Sequence, residues 1–251
     1  MKPTINPKHE LANRIAKYLM SFDDNKEVNA RMREELGKRL HKTEYDYTDY
    51  LKCLAKSGDV QSQYLLGLSY ARGFGYVKNY CRAMRWWKLA GEKGDKSSQY
   101  LLGSTYYFGH VVHKNYKKAA YWLEKAALQS DDYSSWLLAE CNRFGQGVEK
   151  NLETAVSWYA KAAELGYIIA HYSLAVCYHN GEGVAQDRDK AFEHFKAAAE
   201  GGDSDAQYRL ASYYLNGWGT QKDNMTAWAW FVKAAKQGNE DALRFVNKGD
   251  F

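Results

Sequence analysis

Long apolar runs, blocks of like charge and paired-cysteine motifs are all missing from this 251-residue chain. No stretch approaches the ~18 consecutive apolar residues of a membrane-crossing helix, so no transmembrane segment and no membrane partner are expected. The first ten residues, Met1 to Glu10, run on polar and charged. They lack the apolar core of roughly 7–15 residues that marks a secretory signal. A cytoplasmic location is therefore expected. Lysine and arginine total 35 against 30 acidic residues, and the two signs interleave along the whole chain. A net charge of +5 spread in this way does not build the basic face of a nucleic-acid binder. Four cysteines are present, Cys53, Cys81, Cys141 and Cys177, none of them in a C-x-x-C pair. Cys141 and Cys177 are one repeat apart, at the same position of successive first helices. Helices packed ~8–10 Å apart hold their Cα atoms beyond the ~7 Å reach of a disulfide. Free, buried thiols are the expectation, and they suit a reducing compartment.

What the chain has in abundance is periodicity. Gly73, Gly109, Gly145, Gly181 and Gly217 recur at a step of 36 residues (109 − 73 = 36). Leu66, Leu102, Leu138, Leu174 and Leu210 keep the same step, as do Ala83, Ala119, Ala155, Ala191 and Ala227. A period of this size marks units that bury their apolar face only by stacking on neighbours. Within one unit, Ala206 to Gly219 and then Ala227 to Asn239, apolar residues fall at i, i+3/i+4 and i+7. That spacing is helical. Each unit is thus two antiparallel helices, near 204–216 and 223–237 in this copy, each stopped by a glycine free to turn left-handed. Small residues at Gly67, Gly103, Ala139, Ala175 and Ala211 allow the two helices to approach. Large rings at Trp86, Trp122, Trp158 and Trp230, with His194 as the exception, are expected to fill the gap.

The pattern Leu174-Ala175, Tyr178, Gly181-Glu182-Gly183-Val184, Asp187, Ala191, Lys196-Ala197-Ala198 and Gly202 resembles the Sel-one-like repeat family, a branch of the tetratricopeptide-type helical repeats. The 36-residue unit and the G-x-G loop separate it from 34-residue tetratricopeptide units, and their late proline is missing too: the chain holds only Pro3 and Pro7. The resemblance covers about residues 60–245 and implies an all-α fold, a right-handed solenoid superhelix of helix-turn-helix repeats. Repeat 2 departs at Val111 and Ser130, and repeat 3 at Asn142, so the second loop and the 130–134 junction are where the superhelix is expected to vary. The organisation reads as a helical cap over 1–46, the second helix of a partial repeat over 47–59, five tandem repeats over 60–240 and a capping helix over 241–251.

Little in the chain suggests chemistry. The pairs Gly73/Gly75, Gly145/Gly147, Gly181/Gly183 and Gly217/Gly219 follow helices, whereas a phosphate loop follows a strand. His110 and His113 lack a third ligand nearby, so no metal is expected. No nucleophile elbow, carboxylate pair or nucleotide fingerprint is present, so neither catalysis nor a cofactor is expected. The more informative positions are aromatic. Tyr64, Tyr100, Trp136, Tyr172 and Tyr208 share one slot on the first helices, the helices that line the concave groove in tetratricopeptide arrays. They either form a ladder for a peptide or pack between neighbouring helices. Seven residues on, Ala71, Tyr107, Arg143, His179 and Leu215 vary while their surroundings repeat, and so do Phe108 and Phe144 beside them. Variation at a slot not held by packing leaves it free to encode specificity, and aromatics and arginine dominate binding hot spots. Tyr107, Phe108, Arg143, Phe144 and His179 therefore join the aromatic slot as candidate partner contacts.

The resemblance implies a non-enzymatic module that binds a partner protein or peptide on its concave face. Small bacterial members of the family include immunity proteins that neutralise a secreted antibacterial toxin, a narrower form of the same reading. A cysteine-rich secreted branch is linked to peptidoglycan-related hydrolysis, but it carries a cysteine pair in each repeat and a signal peptide, and this chain shows neither. Self-association through exposed edge helices is a third possibility.

Overall fold

The computed structural model describes residues 44–248. Apart from the helical residues 44–46, the expected N-terminal cap over 1–46 lies outside the described residues. Among the described residues twelve helices follow one another and no strand occurs. They are α1 (Glu44–Ser57), α2 (Val60–Arg72), α3 (Tyr80–Glu92), α4 (Lys96–Phe108), α5 (Tyr116–Leu128) and α6 (Asp132–Phe144). After them come α7 (Leu152–Glu164), α8 (Ile168–Asn180), α9 (Arg188–Glu200), α10 (Ser204–Asn216), α11 (Asn224–Lys236) and α12 (Glu240–Lys248). The chain divides into two compact units, one up to Leu102 and one from Gly103, with the boundary inside α4.

Local chemistry sets the helix ends. Every second helix of a pair begins at a capping amide or carboxylate: Asn79, Asn115, Asn151, Asp187 and Asp223 each accept from the backbone N–H three residues on. These bonds satisfy donors that a helix start otherwise leaves unpaired. The same residues also close the loop, because each backbone N–H donates back into the first helix, as Asn79 does to Tyr70 O at 2.8 Å. The first helices α2, α6 and α10 use Asp59, Asp131 and Asp203 in the same way. Helix α8 begins at Tyr167 without a side-chain cap. That ring instead packs edge-on to Tyr133 at 5.5 Å and lies near Trp136.

In the first unit, α2 and α3 pack through Leu65, Leu66, Ala83, Met84, Trp87 and Ala90, and α1 adds Leu51 and Ala55. In the second unit the leucine and alanine slots are core throughout: Leu138, Leu174 and Leu210 are at most 4% exposed and Ala119, Ala155, Ala191 and Ala227 at most 1%. The ring slot needs correcting. The large side chain that fills each helix pair is one residue later, at Trp87, Leu123, Tyr159, Phe195 and Phe231, none more than 3% exposed. A step of one residue turns ~100° around a helix, which leaves Trp86, Trp158 and Trp230 half-buried at the edge, while Trp122 is buried as expected. Lys161 and Lys233 lie over the Trp158 and Trp230 rings, at 5.0 and 4.5 Å. The paired slot follows the ring: Gly67 and Gly103 face Trp87 and Leu123, where a Cβ would overlap the side chain. All four cysteines are free. Cys141 and Cys177 are buried and free, but Cys53 and Cys81 are exposed.

The second glycine of the G-x-G loop has a steric cause. A Cβ on Gly147, Gly183 or Gly219 would run into the backbone at Tyr116, Leu152 or Arg188, the first residue of the preceding unit's second helix. The motif seats one unit on the last.

Candidate partner-binding face

The candidate residues sit in both units. In the first, Tyr64 and Tyr100 are half-buried on α2 and α4, and burial, reinforced by Asp95, raises the Tyr64 hydroxyl above its ordinary pKa. In the second, Trp136, Tyr172 and Tyr208 are also half-buried. Tyr172 rests near Phe195 at 5.8 Å and Tyr208 near Phe231 at 5.5 Å, each against the second helix of its own pair. The Trp136 indole N–H donates to Ser173 Oγ at 3.1 Å, joining α6 to α8. Among the described residues no ring contact joins Trp136, Tyr172 and Tyr208 to one another. Each ring shows one edge and spends the other on packing.

Sites seven residues on are less free than their variability suggests. Ala71 is 5% exposed. Tyr107 meets Tyr116 edge-on at 5.5 Å and packs on the cluster that holds Leu123, Leu138 and Cys141. Burial, with Cys141 and Glu140 nearby, pushes its hydroxyl far above the usual phenol range. Arg143 Nη2 donates to Glu182 Oε2 at 2.8 Å, its guanidinium lies 5.4 Å from the Phe144 ring centroid, and it bonds the buried Tyr159 hydroxyl. That hydroxyl in turn donates to Glu140. Asn180 holds the other Glu182 oxygen at 2.9 Å. The result, inside the second unit, is a polar chain from Glu140 through Tyr159 and Arg143 to Glu182. It is flanked by aromatics: Phe108 stacked on His110 at 5.6 Å, and Phe144, whose ring is left 57% exposed. Burial raises the two thiols beneath, Cys141 to about 12 and Cys177 to about 11, so both stay as neutral thiols at neutral pH.

His179 opens a second feature. Its Nδ1 lies 2.6 Å from the Tyr213 hydroxyl, and Trp218 is 5.8 Å away. Together with Val176, Asn180, Phe195, Arg209 and Ser212 these side chains line a cleft of about 130 Å³ between α8 and α10. Burial, then Arg209 and Arg188, lower the His179 pKa, so the imidazole is neutral at pH 7. Sequence reasoning missed Glu140, Tyr159, Glu182, Tyr213, Trp218 and both arginines. Their signal was there, since each of these slots changes residue type between repeats, but which change faces which is set by the packing. Among the described residues no cluster of His, Cys, Asp or Glu fits a metal ion, and no helix is long and apolar enough to cross a membrane.

Helix pairs stacked at a 36-residue step define an all-α repeat solenoid. A family model, the Sel1 repeat, matches residues 60–95, 96–131, 133–167, 168–203 and 204–239, and the chain belongs to that family. It is similar to a protective antigen of uropathogenic Escherichia coli strains that displays the same repeat fold, at 34% identity and a TM-score of 0.74. That likeness covers 78% of this chain but only 42% of the antigen. A Sel1 repeat protein from Oxalobacter formigenes is 31% identical over 84% of this chain and 86% of its own, with a TM-score of 0.75. An immunity protein from Pseudomonas aeruginosa shares the fold at 17% identity and a TM-score of 0.50, over 95% and 84% of the two chains. No curated protein matches the chain.

Proposed function

We propose that this chain is a non-enzymatic interaction module that binds a partner protein or peptide on the face formed by its first helices. The contact set is Tyr64 and Tyr100 in the first unit and Tyr107, Phe108, Trp136, Arg143, Phe144, Tyr172, His179 and Tyr208 in the second. The observation that carries the reading is the group from Tyr107 to His179, where the exposed Phe144 ring and the half-buried Tyr107 and Phe108 accompany the hydrogen-bonded Arg143 and His179. Such a surface is rigid before it binds, so little side-chain entropy is lost on association. Its residue types are those of hot spots. Helix α12 packs on the last pair, stacking Phe245 on Phe231 at 4.1 Å.

The test compares capture from the native lysate by the full chain and by a Phe144→Ala/Tyr107→Ala variant, with both checked for a cooperative melt. A partner kept by the first and lost by the folded second supports that group. Equal capture would sink it. The narrower form, with an antibacterial toxin as the partner, predicts that a toxin encoded beside this gene binds directly and is neutralised. An immunity protein shares the fold, and a face that grips a folded partner suits that role.

A further inference from the structure

From the cleft between α8 and α10 we infer that it seats a carboxylate side chain, Asp or Glu in an acidic segment of the partner. The inference rests on the protein-binding reading and names the chemistry of one of its subsites. The cleft, about 130 Å³, is small beside the ~300–1,000 Å³ of ordinary ligand pockets. It takes one side chain, not a cofactor. Its walls are apolar at Phe195 and Trp218, where the methylenes of a glutamate can pack, and polar at His179, Tyr213 and Arg209.

The charge in the cleft is not balanced by the chain itself. Arg209 lines it, and Arg188 stands at its rim with the guanidinium 4.9 Å over the Trp218 ring. Among the described residues neither arginine has a carboxylate partner, while Arg143 and Arg244 do. Acids that are able to serve are engaged elsewhere. Asp205, one turn before Arg209 and so its natural i,i+4 partner, accepts instead from Asn239 Nδ2 at 2.6 Å. Glu182 is held by Arg143 and Asn180. One exposed guanidinium without a carboxylate partner therefore lines the recess, and a second lies against its Trp218 wall. Both are felt inside it, since each depresses the His179 pKa. The neutral histidine, locked to Tyr213, adds polarity without a third positive charge. Guanidinium groups bind carboxylates by charge-assisted, often bidentate bonds, and a partly enclosed recess weakens the screening that water and salt impose.

The probes are two blocked peptides, triglutamate and triglutamine, titrated into the isotope-labelled full chain while the Trp218 indole N–H resonance is followed by NMR. Triglutamate is expected to shift Trp218, and triglutamine is expected not to. Arg209→Gln and Arg188→Gln should each weaken triglutamate about tenfold, the loss of one charge-assisted bond. Arg85→Gln, which removes an exposed charge outside both the contact set and the cleft, should leave triglutamate affinity unchanged. Equal shifts from both peptides, shifts confined to residues around Tyr107 and Phe144, or a silent Trp218 would each overturn the carboxylate seat. None of those results touches the capture experiment with Phe144→Ala/Tyr107→Ala, so a wrong subsite and a wrong function are told apart.

Discussion

Ser130 is the one non-glycine residue with a positive φ among the described residues, at 59°. It stands where the other units close their second helix with Gly94, Gly166, Gly202 and Gly238, at φ of 87–99°. The backbone around it keeps the same bond: Ser130 N–H donates to Ala127 O at 3.0 Å, as Gly166 N–H does to Ala163 O at 2.9 Å. The junction therefore holds the repeat geometry and forces a serine into it. A left-handed conformation costs an L-residue about 1–2 kcal/mol. Ser130→Gly removes that strain but gives the unfolded chain back about 0.4–1 kcal/mol of backbone freedom. The serine is exposed and its hydroxyl makes no hydrogen bond among the described residues, so nothing else is lost. The difference centres near about 0.8 kcal/mol, a Tm rise of roughly 2–3 °C for a chain of this size. The mirror substitution is Gly166→Ser, at a site where an added Cβ meets nothing within 4 Å. It isolates backbone strain from steric clash and should lower Tm by a similar amount or more. Calorimetry on the three proteins decides. A Ser130→Gly variant no more stable than the parent would show that the serine is not strained, and a neutral Gly166→Ser would remove the premise itself.

Leu138→Ala empties a core position that is 4% exposed and should cost about 2–5 kcal/mol, read as a shift in urea midpoint at constant m-value. His171 and His194 face each other with Nδ1 atoms 3.0 Å apart, and burial lowers both pKa values; His194 feels Lys190 in the same sense and Glu193 in the opposite one. Because the folded state disfavours their charged forms, stability is full above the unfolded value of ~6.5 and declines as pH falls below it. Melting from pH 7 to pH 5 (about the range over which an unfolded histidine titrates) should show that decline. It should be shallower in His171→Gln, and an unchanged slope would disprove the assignment. A double-mutant cycle on Arg143→Ala and Glu182→Ala should return a coupling of about 0.5–1 kcal/mol, as for a half-exposed pair; zero coupling would mean the bond does not persist in solution.

The architecture was legible because its causes are local and repeated. Left-handed glycines, Asn or Asp caps and the leucine and alanine slots each act within a few residues, so their 36-residue echo names their role. The ring slot was misread for a related reason. Trp86, Trp122, Trp158 and Trp230 repeat more faithfully than Trp87, Leu123, Tyr159, Phe195 and Phe231, yet the whole second set is core and only Trp122 of the first is. Fidelity of residue type did not track burial, which tolerated any large apolar group matched by a Gly or Ala opposite. The buried Gln63, Gln99 and Gln207 were overlooked altogether, although they recur in phase and each donates to the last turn of the helix before it. A polar residue in a first helix looks like surface until a partner carbonyl is known. The cleft and the Glu140 chain were beyond reach because they join residues 16–39 apart whose slots carry no consensus.

Those non-consensus positions are not independent of one another. Trp136 replaces the tyrosine of its slot, and it donates to Ser173, which replaces the leucine of Leu65 and Leu137. His171 replaces a glutamine and bonds His194, which replaces a tryptophan. Arg143 and His179, two members of one varying slot, find Glu182 and Tyr213, each in a varying slot of the next repeat. Every unit of a solenoid touches only its neighbours, so a departure in one unit is answered in the same unit or the one that follows. Such matched exceptions make the units non-interchangeable: exchanging the third and fifth repeats would leave Glu182 and Tyr213 facing the wrong sides. They also make up the surface on which the proposed partner sits. Restoring consensus at these slots would regularise the array while erasing the face, so the order of the repeats and the specificity of the surface rest on the same few pairs.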